Sequence, residues 1–482
     1  MKRLCIICIV CLSIGYQYPV KALMHTPAPE KKRVSNNSLS GQIEQLLELL
    51  PPGAVSSVLV KKAVSGEVVF NKAGNLNLIP ASTLKILTTV AAYDKLGADY
   101  RYPTRLLLSR NIGRSRIYKG GILIAFSGDP SLKSRHLEEM LAILKKKGVR
   151  EIVGDIWLDD TVFSGYPKAE GVVWNDLGIC FAAPSTGMIL DRNCFYAWLK
   201  PGREGKKTII RYDQPGDFQK IENQIITRQS RDGLQCQPKA WPSSDYEYRL
   251  TGCLEPGQKP LRLAFAVKHY ERYMKKKMAS MLKGQGLLHR GRIVIGKPGA
   301  SFPVLLAEHQ SDSLAGLLKP VLERSDNLFS DSLMKTLGHK VTGFSGSYER
   351  GTDAIIKVLG DKGIDLSHSH IADGSGLSRY NLISASTLAD VLAMAWREWG
   401  SDSPWLINRP YKDRWFKTGT MKGVSAVAGY IFPSGSEPLL FVVMVNGLVS
   451  PKKAARESFS SPVEDIRQFR YELMDRLANS AR

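Results

Sequence analysis

Apolar and polar positions divide this chain into three blocks. In the first, SGQIEQLLELLPPG (40–53) predicts a short helix, capped by Ser40 and stopped at Pro51-Pro52-Gly53. AVSSVLVKKAVSGEVVFNKA (54–73) reads as two strand-like runs about Ser65-Gly66, a hairpin. PASTLKILTT (80–89) follows directly, and its apolar continuation predicts a helix beginning near Ser82. The texture changes from about Asp99 to Pro298. TRLLLSR (104–110) and GGILIAFSGDP (120–130) look like strands, RHLEEMLAILKKKG (135–148) like an amphipathic helix, and REIVGDIWLDD (150–160) like one more strand. Between about Cys180 and Ala266 the chain turns loop-rich and β-like, so 99–298 reads as an insertion of one or two subdomains. In the third block, 312–338 and 384–398 are helical by their i, i+3, i+4 spacing. SAVAGYIF (425–432) and PLLFVVMVNGLV (438–449) are strands bracketing Pro433-Ser434-Gly435, and 462–478 is a last amphipathic helix.

Composition narrows the class. A chain of 482 residues is too long for one ordinary core, so two or three domains are expected, and 43% apolar content excludes a largely disordered chain. MKRLCIICIVCLSIGYQYPVKA (1–22) has a cationic start, a short apolar run and a small-residue site at Val20-Lys21-Ala22. It reads as a secretory signal cleaved near Ala22, with an uncleaved anchor as the alternative. Residues 23–39, polar and Pro-containing, read as a linker; 40–98 and 299–482 then form one domain around the insertion. Cys5, Cys8 and Cys11 imitate a metal or cluster site but belong to the leader and leave with it. Cys180, Cys194, Cys236 and Cys253 remain. Two disulfides fit an oxidising compartment; nearness favours 180–194 and 236–253, and the other two connectivities stay open. The expected location is therefore outside the cytoplasm. The net charge of +22 suits attraction to anionic lipids or wall polymers, or simply a solvated basic surface. No nucleic-acid motif accompanies it.

The candidate chemistry centres on Ser82. A serine hydroxyl needs a base to become a nucleophile. No G-x-S-x-G exists, GFSGS (343–347) being the nearest, and no H-E-x-x-H exists. His368 and His370 have no further ligands in view, so no metal and no cofactor are expected. A lysine base remains: on a helix, i and i+3 share a face, which brings Lys85 to Ser82. Helix-start N–H groups would meet a developing oxyanion. The bland alternative is that Ser82 merely caps a core helix. Ser280/Lys283, Ser332/Lys335 and Ser450/Lys453 share the S-x-x-K spacing, but they lie near a helix C-terminus, in mid-helix and in a loop. Ser325-Asp326-Asn327 opens a helical pattern, and Lys417-Thr418-Gly419 lies on a predicted strand. Lys417 offers charge to a carboxylate, Thr418 a hydroxyl, and Gly419 close approach to backbone.

The trio S-x-x-K, S-D-N and K-T-G resembles that of penicillin-binding proteins and β-lactamases. With FSGDPSL (126–132), GDIWLDDTVF (154–163), APSTGMILDRNCF (183–195) and DGSGLSRYNLIS (373–384), the chain resembles the class C low-molecular-mass penicillin-binding proteins. The resemblance implies an α/β transpeptidase/β-lactamase-like domain, its central antiparallel sheet flanked by helices and interrupted by inserted α/β and β subdomains. It implies a periplasmic serine D-Ala-D-Ala carboxypeptidase/endopeptidase, with peptidoglycan stem peptides and cross-links as partners and β-lactams as covalent inhibitors. Ser82 would form the acyl-enzyme with Lys85 as base; Ser325 would relay a proton and Asn327 hold the peptide. Lys417 and Thr418 would bind the substrate carboxylate, and backbone N–H groups of Ser82 and Thr420 would form the oxyanion hole. Asp159, Phe163 and Arg379 match positions that recognise a diaminopimelate side chain, and Lys422 stands where relatives often have Gln. A β-lactamase would share the trio, but no E-x-x-x-N loop is found. A wall-binding module with a dead site would have lost Ser82, Lys85 or Lys417, and all three remain. An esterase is the weakest rival.

Overall fold

A computed structural model describes residues 38–213, 220–230, 236–242, 247–407, 410–449 and 462–479. The expected leader with its three cysteines, nearly all of the linker, and Ser450/Lys453 lie outside these residues. The helices that matter are α1 (Leu39–Glu48), α2 (Leu84–Leu96), α3 (Ser134–Lys146), α4 (Tyr270–Gly284), α5 (Leu314–Arg324), α6 (Asn327–Thr342), α7 (Tyr348–Gly360), α8 (Ala385–Trp399) and α9 (Pro462–Ala478).

A five-stranded antiparallel sheet organises the first domain, in the order Val68–Lys72, Val55–Lys62, Leu439–Asn446, Val424–Ile431, Arg414–Met421. The N-terminal strand pairs with the C-terminal one along its whole length, from Val55 opposite Asn446 to Lys62 opposite Leu439. Both faces of the middle strands are covered, which is why they read as unbroken apolar runs. Phe441, Val443 and Val445 pack with Ile43 of α1 and Phe469 of α9. Leu440, Val442 and Met444 point the other way, onto α2 and α8. Ser38, not Ser40, caps α1, its Oγ accepting from Gly41 N at 3.1 Å. The longer helix lets Leu39 join the apolar face, and the Ser40 hydroxyl donates to Val69 O instead.

The inserted unit holds an α/β part and a β part. Its five-stranded sheet runs Ile293–Ile295, Ile156–Asp159, Ile122–Ala125, Pro103–Leu108, Val304–Gln310, and α3 and α4 pack on it around Ile124, Leu141, Leu158 and Met278. Val304–Gln310 still pairs with Pro103–Leu108, so this sheet continues past Pro298 and the chain rejoins the helical layer at Leu314. The single strand expected over 150–160 is two, Glu151–Val153 and Ile156–Asp159, in separate sheets. Gly154 makes the break: its φ is +151°, and a Cβ there would lie 2.4 Å from Gly120 O. The β part is built on Cys194–Lys200 and Leu261–Ala266, with Leu199, Tyr248, Leu250 and Phe265 in a core of its own. Disulfides join Cys180 to Cys194 and Cys236 to Cys253.

Candidate active site

Ser82 lies in a short 3-10 turn, Ala81–Thr83, that leads into α2. Its hydroxyl does not cap the helix; Thr83 precedes α2 without a side-chain cap, and its own Oγ1 donates to Pro80 O at 2.7 Å. Ala81 has a φ of 46°, a left-handed conformation that costs a non-glycine residue energy and persists only where its surroundings enforce it. Two glycines do the enforcing. A Cβ on Gly376 (φ +77°) would run into Ala81 O, and one on Gly419 would lie 2.7 Å from Pro80 O and 2.9 Å from Ser82 N. The outer strand of the main sheet, Arg414–Met421, and the 373–381 loop can therefore close on the Ser82 turn only through glycine.

Lys85 sits one turn further on, fully buried. Its Nζ lies 3.1 Å from Ser82 Oγ, 2.7 Å from Asn327 Oδ1 and 2.5 Å from Ser375 O. Burial pushes its ammonium below the ordinary lysine range, against the pull of the Asp331, Asp373 and Asp326 carboxylates. Asp331 is itself driven upward, by burial first and then by neighbouring Asp373. The S-D-N segment is where α5 ends and α6 begins. Ser325, at φ 56° and ψ 44°, closes α5; Asp326 caps α6, accepting from Phe329 N at 3.3 Å. Asn327 is thus aimed at Lys85 from the head of α6, and its amide nitrogen donates to Phe181 O of the inserted unit at 2.9 Å. Lys417, 4% exposed, faces the same centre from the strand and donates to Thr418 O at 2.7 Å. Burial and the nearby Lys85 charge push it down to about 7. Thr418 and Thr420 are exposed on that strand, and Gly419 between them is buried.

With this geometry, the match to the model of the D-Ala-D-Ala carboxypeptidase 3 (S13) family, over residues 39–406, is decisive. The chain belongs to that family. It is 31% identical, over 84% of its length and 88% of the relative's, to the D-alanyl-D-alanine carboxypeptidase DacB of Haemophilus influenzae. It is 27% identical to the D-alanyl-D-alanine carboxypeptidase of Actinomadura sp. (strain R39), over 84% of this chain and 80% of that one. Penicillin binding protein 4 (dacB) from Haemophilus influenzae superimposes with a TM-score of 0.81 at 30% identity, covering 91% of this chain and 99% of that one. The same protein complexed with a β-lactam gives 0.76 at 28%, with the same coverage.

Around the S-x-x-K, S-D-N and K-T-G segments the remaining expected residues divide. Arg379 lies at the end of the outer strand, Nη2 donating to Lys422 O at 2.9 Å, while the Lys422 side chain is exposed. Asp159 bends back on its own loop and accepts from Thr161 N (3.0 Å) and Thr161 Oγ1 (2.6 Å). The Phe163 ring is 8% exposed and packed so tightly on Gly128 that a Cβ there would lie 2.4 Å from it. Among the described contacts none joins Asp159 or Phe163 to Ser82; Phe163 pairs with Gly346, and its ring packs on Gly128 and Gly346. Sequence reasoning passed over Asp373. Fully buried, it accepts from Ser375 N (3.2 Å), Gly376 N (2.6 Å) and Asn381 Nδ2 (2.9 Å) through one oxygen, and from Ser378 N (2.7 Å) through the other. That carboxylate holds the loop whose Ser375 carbonyl takes the Lys85 proton donor. An acidic residue before Gly-Ser-Gly was the available signal. Among the described residues no three His, Cys, Asp or Glu are grouped to hold a metal.

Proposed function

We propose that the protein is a serine-type D-Ala-D-Ala carboxypeptidase and DD-endopeptidase of peptidoglycan, working through an acyl-enzyme on Ser82, and that β-lactams acylate the same hydroxyl. The observation that carries the reading is the 3.1 Å contact of Ser82 Oγ with a fully buried Lys85 whose ammonium is disfavoured. A neutral Lys85 accepts the Ser82 proton as Oγ attacks the carbonyl of the penultimate D-Ala. The oxyanion takes the Ser82 and Thr420 N–H groups, beside the positive end of α2. Ser325 passes a proton to the departing amine, the C–N bond breaks, and water releases the acyl group. Lys417 and Thr418 hold the substrate carboxylate, and Asn327 its backbone. An exported, periplasmic location follows from the substrate, and none of the described helices is long and apolar enough to cross a membrane. Arg379 and Lys422, side by side at the rim, are assigned to the free end of the stem-peptide side chain.

Fluorescent penicillin should label the wild-type protein and not Ser82→Ala; label retained by the variant after acid quenching overturns the assignment. Mass spectrometry of purified muropeptides should show released D-Ala and monomers arising from cross-linked dimers. D-Ala without monomers would leave a carboxypeptidase only. Nitrocefin turnover near the ~10 per second of ordinary enzymes would make it a β-lactamase.

A further inference from the structure

A well-formed cavity of the protein has no Ser82 in its lining. It lies between the inserted unit and α5, and its volume of about 730 Å³ is that of a small-molecule site. The first turn of α6 separates it from the proposed catalytic centre: Asn327 faces Lys85, while Asp326 and Phe329 line the cavity. Arg192 pairs with Asp326 across the opening. That arginine is presented by three consecutive non-glycine residues in the left-handed region, Asp191 (φ 48°), Arg192 (φ 65°) and Asn193 (φ 47°). Each costs roughly 1–2 kcal/mol, and such strain collects at functional sites. The turn is fastened from behind: fully buried Asn193 donates to Pro184 O at 3.0 Å, and Asp191 accepts from Ser134 N at 2.9 Å.

The lining is cationic and aromatic. Lys133, Arg135 and Arg324 have no ion-pair partner among the described residues, whereas Asp312 is the one lining carboxylate of which this is true. Arg262 lies 4.1 Å over the Tyr196 ring while pairing with Asp213. Arginine forks suit carboxylates, and aromatic walls beside them suit the apolar face of a sugar ring.

We propose that this cavity is a second binding site, for an anionic saccharide: a pyranose bearing a free carboxylate, as on a stretch of wall glycan whose lactyl carboxyl carries no peptide. The choice of a wall glycan rests on the proposed function; the cavity and its charge do not. The site would hold a peptide-free stretch of the polymer beside the cleft.

The test uses full-length Ser82→Ala protein, so that hydrolysis plays no part, titrated calorimetrically with N-acetylglucosaminyl-N-acetylmuramic acid, with neutral N,N′-diacetylchitobiose and with acetate. The acidic disaccharide should bind at least fivefold more tightly than chitobiose, and acetate should not saturate. Arg135→Gln combined with Arg262→Gln should weaken the acidic disaccharide at least fivefold. In a Ser82 background the same pair should label with penicillin like wild type, and exposed Lys133→Glu provides a second variant should the pair fold poorly. No binding, binding unchanged by these variants, or acetate matching the disaccharide would each overturn the proposal. Failure of the hydrolytic reading would show instead as loss of labelling or of muropeptide products, with this binding intact.

Discussion

Two buried lysines face one serine, and the proposed chemistry asks opposite things of them. Lys85 must shed its proton to act as a base, and burial helps it do so at a pH below the ordinary lysine value. Lys417 must keep its proton to hold a carboxylate, yet burial and Lys85 push it down to about 7. With Lys85 lowered to about 8 and Lys417 to about 7, the productive form, Lys85 neutral and Lys417 charged, is a minor one, and kcat/KM for acylation by a peptide acid should pass through a maximum between about 7 and 8. A peptide ending in D-Ala amide has no carboxylate to hold and should lose the alkaline limb. Stopped-flow or discontinuous rates from pH 5 to 10 check this, and a flat profile for the acid contradicts it. Ser82, Lys85, Asn327 and Lys417 could be singled out by residue type and spacing because, in the proposed reaction, their side chains would be the reagents. Ser375 could not, since its contribution is a main-chain carbonyl, and Asp373 acts only through the loop it ties. Phe163 is a motif position whose ring, 8% exposed, packs on glycines of two segments.

At the scale of elements, the site depends on how closely the outer strand approaches the Ser82 turn. Gly419→Ala would set a methyl 2.7 Å from one main-chain atom and 2.9 Å from another, neither able to swing away as a side-chain tip can. The strand or the turn must yield, and a displacement of about 1 Å costs roughly a hundredfold in rate. Penicillin labelling of Gly419→Ala should slow by about that factor while the circular dichroism spectrum stays native; labelling at the wild-type rate would show that the approach is looser than described. Helices and strands with strong periodicity were legible, as for 384–398 and 438–449. The failures were local ties set by distant residues: the break at Gly154 is fixed by Gly120, and the start of α1 by Leu39 reaching its core.

For the whole molecule, the inserted unit reaches the S-D-N segment through the Phe181 carbonyl and through Arg192, which pairs with Asp326. Phe181, which accepts from Asn327, sits in the turn Cys180–Ala182, pinned to the strand Cys194–Lys200 by the first disulfide. The second disulfide lies in the β part. With sequence separations of 14 and 17, each bridge should stabilise by about 3 kcal/mol on loop-closure entropy. Replacing either pair with serine should lower the urea midpoint similarly. Only Cys180→Ser/Cys194→Ser should also slow penicillin acylation, because only it loosens the Asn327 amide; equal slowing by both pairs would remove this distinction. That an insertion interrupts the domain was visible in the change of texture. Which of its atoms reaches the site was not, because a turn carbonyl carries no signature in residue type.

The seam between Val55–Lys62 and Leu439–Asn446 has a consequence for the newborn chain. Ribosomes deliver the serine early and the strand that completes the sheet late, so a product truncated before that strand lacks a finished platform. The proposed hydrolytic activity would thereby be withheld until that last strand has been made, a safeguard built into the order of the strands.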